Sequence, residues 1–404
     1  MASLVATGLL ATACGSDSSG ASGEVSGPVT MRVYPLVDEG KDRAFWDGQI
    51  AAFKKEHPKV DVKIDIQPWK DRERSLVAAI AGGVAPDLVY MIPDELTQFE
   101  GQGVLEPLNG VVDTTGYREN ALKAATIDGK LYGAPILMTV IPGACDRKVL
   151  AEVGVDKPPT TWDELMAMAP QFKAKGKYVT HVVASNEATL NTSFYPWVWQ
   201  AGGAPFDDQG KPTIDSPAMV EATRFISELV KQGYVNKDQA TVNLPAEQSP
   251  IGRREVGCVY YMDPIIMKND VWGDDTMVAP PLKHKAEGAY GTVGSYAMLK
   301  GSKNKKAAAA WLKFITTPQV MADVDKMAGY YPPREDATVE FPAGSVQAEV
   351  AKYLELADVG PKVPHAREVQ GVIAPEVQAA VLGNKSAEQA MKDAAEAAKS
   401  VLER

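Results

Sequence analysis

Two spacings of apolar residues alternate along this chain. Val29, Met31 and Val33 recur at every second position, the spacing of a strand with one buried face. Trp46, Ile50 and Phe53 then fall at i, i+4 and i+7 within 43–56, which predicts a helix buried along one stripe. Val60, Val62, Ile64 and Ile66 alternate strictly with Asp61, Lys63 and Asp65, a second strand with one polar face. Leu76, Ala79 and Ile80 mark another helix, and Leu88-Val-Tyr-Met91 reads as a short buried strand. This strand–helix–strand–helix–strand order predicts a parallel sheet covered by helices, with ligands near the carboxyl ends of the strands.

The middle and end of the chain carry clear helix starts. Thr161-Trp-Asp-Glu164 fits the capping box, and Leu165, Met168, Ala169 and Phe172 continue its buried face. Ser216-Pro217 and Thr317-Pro318 each set a capping residue before a proline suited to the first helical position. Ser386 caps a last helix whose Met391, Ala394, Ala398 and Val401 share one side. The fold class is therefore α/β, with two runs of strand–helix alternation. Trp46, Phe53, Trp162, Trp311 and Phe314 lie on apolar helical stripes and are assigned to packing.

Composition changes this picture only slightly. At 45% hydrophobic and 23% charged residues, the chain has an ordinary globular make-up, long enough for two lobes. A formal charge of -10 works against nucleic acid and anionic membrane surfaces as partners. His57, His181, His284 and His365 are too scattered for a local ligand set, so neither a metal nor a cofactor is expected. Cys145 and Cys258 each sit in an apolar stretch, where unpaired buried thiols are the favoured reading; an exported chain would equally permit a disulfide.

The N-terminus speaks to location. Leu4–Cys14 is an apolar run far shorter than the roughly 20 residues of a membrane-crossing helix, and it suits the core of a signal peptide over residues 1–13. Ala11-Thr-Ala-Cys14 resembles a bacterial lipobox, with Ala11 where leucine is usual; residues 1–3 carry no positive charge, which points to a start further upstream. On this reading Cys14 is lipidated and 14–28, rich in Gly and Ser, forms a flexible linker. The protein would then sit on the outer face of the cytoplasmic membrane.

Catalytic signatures such as G-x-S-x-G, H-E-x-x-H and the phosphate-binding glycine loops are missing from the sequence. Several ordered segments instead resemble the extracellular solute-binding proteins of ABC sugar importers, in the group of maltose and oligosaccharide receptors. They are Ala85-Pro-Asp-Leu-Val-Tyr90, Gly103-Val-Leu-Glu-Pro-Leu108, Asp128-Gly-Lys-Leu-Tyr-Gly-Ala-Pro135 and Lys157-Pro-Pro-Thr-Thr-Trp-Asp-Glu-Leu165. Gln200-Ala-Gly-Gly203, Thr317-Pro-Gln319 and Gly329-Tyr-Tyr-Pro-Pro-Arg334 extend the likeness. It implies a two-lobe, periplasmic-binding-protein-like fold of type II, each lobe a mixed sheet flanked by helices, with the ligand cleft at the hinge. One lobe would hold 29–137 and 288–328, the other 142–285 and 333–404, with crossovers near 138–141, 286–287 and 329–332. The implied function is capture of an oligosaccharide, without chemistry, and delivery to membrane permease subunits by a monomer.

The resemblance also suggests ligand contacts. Asp94 follows the third strand where relatives bind sugar hydroxyls, although it would equally cap a helix over 95–102. Asp38, Glu39 and Lys41 match a polar cluster after the first strand, with solvated loop charges as the alternative. Trp69, past the end of the second strand, is placed either to stack on a sugar face or to cover a helix start. Asn191, Tyr195, Tyr261 and Asp263 align with contacts of the second lobe, and Tyr296, Tyr330, Arg334 and Arg367 complete the candidates. Thr139 replaces a ligand-binding carboxylate of the maltose receptors, so maltose itself is not implied. Other readings are a binder of glycerol phosphate or another polar solute, an exported glycoside hydrolase with two working carboxylates, and an adhesion or signalling lipoprotein without a small-molecule cleft.

Overall fold

The computed structural model describes residues 24–403 except 185–188, 208, 240–241 and 243. The proposed leader and Cys14 lie outside them. In chain order the strands are β1 (Gly27–Val33), β2 (Val60–Ile66), β3 (Leu88–Met91), β4 (Leu105–Glu106), β5 (Thr126–Ile127), β6 (Lys130–Leu131) and β7 (Gly133–Ile141). They continue as β8 (Ala144–Asp146), β9 (Tyr178–Thr180), β10 (Val256–Val259), β11 (Thr276–Val278), β12 (Ala289–Leu299) and β13 (Ala357–Asp358).

Strands β1, β2 and β3 pair in parallel, as the early alternation predicts, with β1 in the middle. The long β12 lies antiparallel to β3 and extends this sheet to seven strands by also pairing with β4, β7 and β13. A separate four-stranded sheet runs β11-β8-β10-β9. Each sheet carries its own core. The first is built around Trp46, Phe53, Phe99 and Trp311, and the ring centroids of Phe53 and Trp311 lie 5.1 Å apart. The second packs Trp162, Phe172, Phe194 and Trp197, and the Trp162 indole N–H donates to Gln200 Oε1 at 2.7 Å. The aromatic residues assigned to packing are packed in these cores, with Phe314 partly buried at the edge of the first.

Between the two lies a small core of Met138, Val140, Ala289, Val293 and Tyr331. Met138 and Tyr331 exchange both backbone hydrogen bonds, at 2.8 and 3.2 Å, while Thr139–Ile141 pair with Tyr290–Thr292. Segments 138–141, 290–292 and Tyr331 are thus tied side by side.

Two expectations change. Cys145 and Cys258 face each other across the antiparallel β8–β10 pair and form a disulfide, so the unpaired-thiol reading is replaced. Strand register, which neither local sequence carries, opposes them. The third-strand helix spans Pro93–Gly101 with Ile92 as its capping position, so Asp94 is its second residue rather than its cap. Proline is well suited to that first helical position and moves the start upstream.

Candidate ligand-binding site

A cavity of about 480 Å³ opens where the two sheet-centred halves meet. The first half contributes Ile92, Pro93 and Asp94 from the turn after β3, with Tyr290 and Thr292 from β12. The second contributes Thr189, Asn191, Arg367, Gln370, Gly371 and Ala374, and Val359 closes one wall.

The turn after β3 is held from within. Glu95, almost fully buried, accepts the Ile92 N–H at 3.1 Å and the Arg72 guanidinium at 2.6 Å. Burial pushes its carboxyl up, and Arg72 works against that shift. With Glu95 turned inward, the neighbouring Asp94 projects to the cavity. Its Oδ2 accepts Arg367 Nε at 2.8 Å, and Nη2 lies 2.7 Å away. Arg367 Nη1 also lies 3.5 Å from Glu73 Oε2. A carboxylate and a guanidinium predicted separately thus meet across the cavity.

Asn191 is braced by a residue that the sequence did not single out. Gln370 donates to Asn191 Oδ1 at 3.0 Å and accepts from Thr189 Oγ1 and the Leu190 N–H. Gly360, at φ +82°, approaches so closely that an added Cβ would stand 2.6 Å from Asn191 Oδ1. Only a residue without a side chain fits there. The Thr292 hydroxyl is buried, with no protein partner among the described residues. A buried hydroxyl lining a cavity is a natural hydrogen-bonding point for a polar ligand.

Beyond Arg367 lies a second cavity, of about 490 Å³, bordered by Trp69, Asp71, Arg72, Glu73, Arg74, Val77 and Glu95. Trp69 is 40% exposed. Its N–H donates to Pro35 O at 2.7 Å, and the Arg72 guanidinium sits 4.7 Å from its ring centroid. A wider groove of about 1010 Å³ runs past the other side of Val359, but none of the residues chosen from the sequence lines it.

The remaining candidates lie outside both smaller cavities. Asp38 caps the helix Glu39–Phe53, accepting the Lys41 N–H at 2.9 Å, and that bond lowers its pKa. Glu39 lies 3.4 Å from Arg43, and Lys41 lies 3.4 Å from Asp38, all at the exposed start of that helix. Asp42 shapes this loop instead: buried, it accepts the N–H groups of Leu36 and Val37. Tyr195 is fully buried in the second core. Arg334 is buried against Asp336, making two 2.7 Å bonds, and lies over the Tyr117 ring.

Tyr261 contacts His181 Nδ1 at 2.9 Å. Asp263 accepts the Ile265 N–H at 2.8 Å, and burial pushes its carboxyl up to about 6. Burial raises the Tyr330 phenol, and the Asp263 charge adds to that shift. Tyr296 shares a strand face with Tyr290 and Thr292 but pairs directly with Tyr90 and is covered by Trp46, ring centroids 5.9 Å apart. The neighbours covering one end of that face, drawn from 46 and 90, decided which residues stay open.

Among the described residues no helix is long and apolar enough to cross a membrane, and no group of His, Cys, Asp and Glu is arranged to hold a metal. A Brucella abortus relative is 24% identical over 402 residues, 95% of each chain. The diacetylchitobiose binding protein of Streptomyces coelicolor is 22% identical over 385 residues, 89% of this chain and 87% of its own. The crystal structure of the cyclic α-maltosyl-1,6-maltose binding protein of Arthrobacter globiformis superposes with a TM-score of 0.80 at 21% identity, covering 93% of this chain and 99% of that one. This likeness is to the two-lobed, type II periplasmic-binding fold. Residues 48–356 match the family of bacterial extracellular solute-binding proteins, and with a cavity set between two sheet-centred lobes the chain belongs to that family.

Proposed function

We propose that this protein binds a neutral carbohydrate, an oligosaccharide, between its lobes and delivers it to the permease of an ABC importer. The composition of the 480 Å³ cavity carries this reading. Its lining offers a carboxylate, a guanidinium, two amides, a phenol and two hydroxyls beside apolar walls at Ile92, Pro93 and Val359. Such groups match the dense, directional hydroxyls of a sugar. Among the described residues the one lining carboxylate, Asp94, is already paired with the one lining guanidinium, Arg367, so the cavity favours a ligand without net charge. A phosphate ester would find no lysine among the described residues of this lining and an arginine already engaged. Among the described residues only Asp94 supplies a carboxylate to this lining, which does not favour the acid and base pair of a glycosidase.

Asp94, Asn191, Tyr290, Thr292 and Gln370 are the proposed contacts, with Arg367 bordering them and Trp69 as a flanking platform for a longer chain. Closure would turn about the crossings near 138–141, 286–287 and 329–332, the ligand adding contacts that only the closed state offers. Lipidation of Cys14 would keep the receptor within reach of its transporter.

Thermal unfolding with a panel of neutral oligosaccharides, sugar phosphates and amino acids tests the proposal. A saccharide at about 1,000 times its dissociation constant adds about 4 kcal/mol, a shift of several degrees. Asp94→Ala should abolish that shift while the unliganded protein still melts cooperatively. A response confined to phosphorylated solutes would exclude the neutral-sugar reading, and release of shorter sugars on long incubation would exclude a receptor without chemistry.

A further inference from the structure

Among the described residues lining the 480 and 490 Å³ cavities, Arg367 alone borders both. Its guanidinium stands between them, reaching from the second-lobe helix Ala366–Val381 to carboxylates on two first-lobe helices. Asp94 takes Nε and Nη2, and Glu73 lies 3.5 Å from Nη1. Both acceptors are braced from behind. Glu73 Oε1 accepts the Gln98 amide at 2.5 Å, and Asp94 is presented by the turn that Glu95 and Arg72 hold rigid.

We propose that Arg367 is a cross-lobe latch that divides the cleft and sets the length of saccharide it accepts. This rests on the carbohydrate reading of the same site. A short ligand fits the first cavity, against Asn191, Gln370, Tyr290 and Thr292, without disturbing the partition. A longer one reaches Trp69 only by displacing Arg367 from Asp94 and Glu73 and replacing those charge-assisted bonds with its own hydroxyls. The side chains of Arg367, Asp94 and Glu73 are 52%, 21% and 38% exposed, so solvent and salt weaken the latch without abolishing it. In the empty receptor the same contacts hold the lobes together.

Two measurements on the intact chain decide the matter. The first is small-angle scattering of ligand-free wild type, Arg367→Ala and Glu73→Gln, at about 20 mM and about 500 mM salt. The latch predicts a compact wild type that expands in high salt, an Arg367→Ala form expanded at both, and Glu73→Gln between them. Equal radii for wild type and Arg367→Ala at low salt overturn it. The second is calorimetry with a di- to hexasaccharide series on the same proteins. Arg367→Ala should raise the affinity for long chains relative to short ones by about tenfold, equivalent to about 1.4 kcal/mol. Loss of the same factor at every length would make Arg367 an ordinary contact and overturn the partition. If no saccharide binds any form, the carbohydrate reading fails, while the scattering comparison still decides the latch. Glu73→Gln keeps the test open should Arg367→Ala misfold.

Discussion

Replacing Cys145 and Cys258 together by alanine opens a link between residues 113 apart in sequence. A crosslink of that span restricts the unfolded chain, and in the chain-entropy account the restriction is worth about 4.8 kcal/mol at 25 °C. Both cysteines are fully buried in the second lobe, so the variant also loses the packing of two sulfur atoms. A net loss of about 3 to 5 kcal/mol is expected, which for a lobe of this size lowers its melting midpoint by roughly 10 °C or more. Calorimetry under non-reducing conditions measures the midpoint directly. Thiol titration supplies an independent count: a chain starting after Cys14 should show no reactive thiol when unfolded without reductant, and two thiols after reduction. Neither cysteine lines the cavity, so saccharide binding at 25 °C should survive in the variant. A midpoint within about 2 °C of wild type would refute the entropic reasoning. Two reactive thiols without reductant would refute the bridge itself.

Asp325 is fully buried, and neither carboxylate oxygen has a partner among the described residues. Burial raises its pKa well above the ordinary value of 3.8, so its stabilising contribution is present below that value and is lost as pH rises. Asp325→Asn should therefore be about 1 to 3 kcal/mol more stable than wild type at pH 8 and show no advantage at pH 3; urea unfolding at both pH values checks the sign. Asp263 follows the same rule over a bounded window, since burial moves it from 3.8 to about 6. Wild-type stability should fall as pH rises through that window, and Asp263→Asn, which keeps an acceptor for the Ile265 N–H, should flatten the slope in melts taken between pH 4 and 7. At Gly294 an added Cβ would stand 2.0 Å from the Tyr90 hydroxyl oxygen. Gly294→Ala should thus cost about 1 to 3 kcal/mol by overpacking, and an unchanged melting midpoint would show that Tyr90 moves aside freely.

Local regularities in the sequence translated well. Strict alternation at 60–66 became β2, the Thr161 box became the cap of the helix Trp162–Ala174, and Ser216-Pro217 opened the helix Pro217–Lys231. Such signals are legible because a strand face or a helix start depends on residues within one or two turns of chain. Asp87, expected to be structural, accepts the Thr30 N–H and the Ser302 hydroxyl. Less legible was the identity of the acid that organises the loop after β1. Asp38 and Asp42 are four residues apart, and only folding shows that Asp38 caps an exposed helix start while Asp42 is buried beneath the loop.

The sequence by itself determined the α/β order, the helix starts and the apolar faces, because these follow from spacing and from backbone groups that need nearby partners. Its motifs also carried the likeness to solute-binding proteins, and that likeness suggested Asp94, Asn191 and Arg367 as ligand contacts. Tertiary structure decided what those residues do together. The Arg367–Asp94 contact joins positions 273 apart, Gln370 meets Asn191 across 179 residues, and Cys258 faces Cys145 through strand register. It also left Tyr290 and Thr292 open to the cavity while covering Tyr296 on the same strand face. Periodicity specifies which side of an element turns inward. What stands opposite that side depends on how distant elements pack, and no local pattern records that.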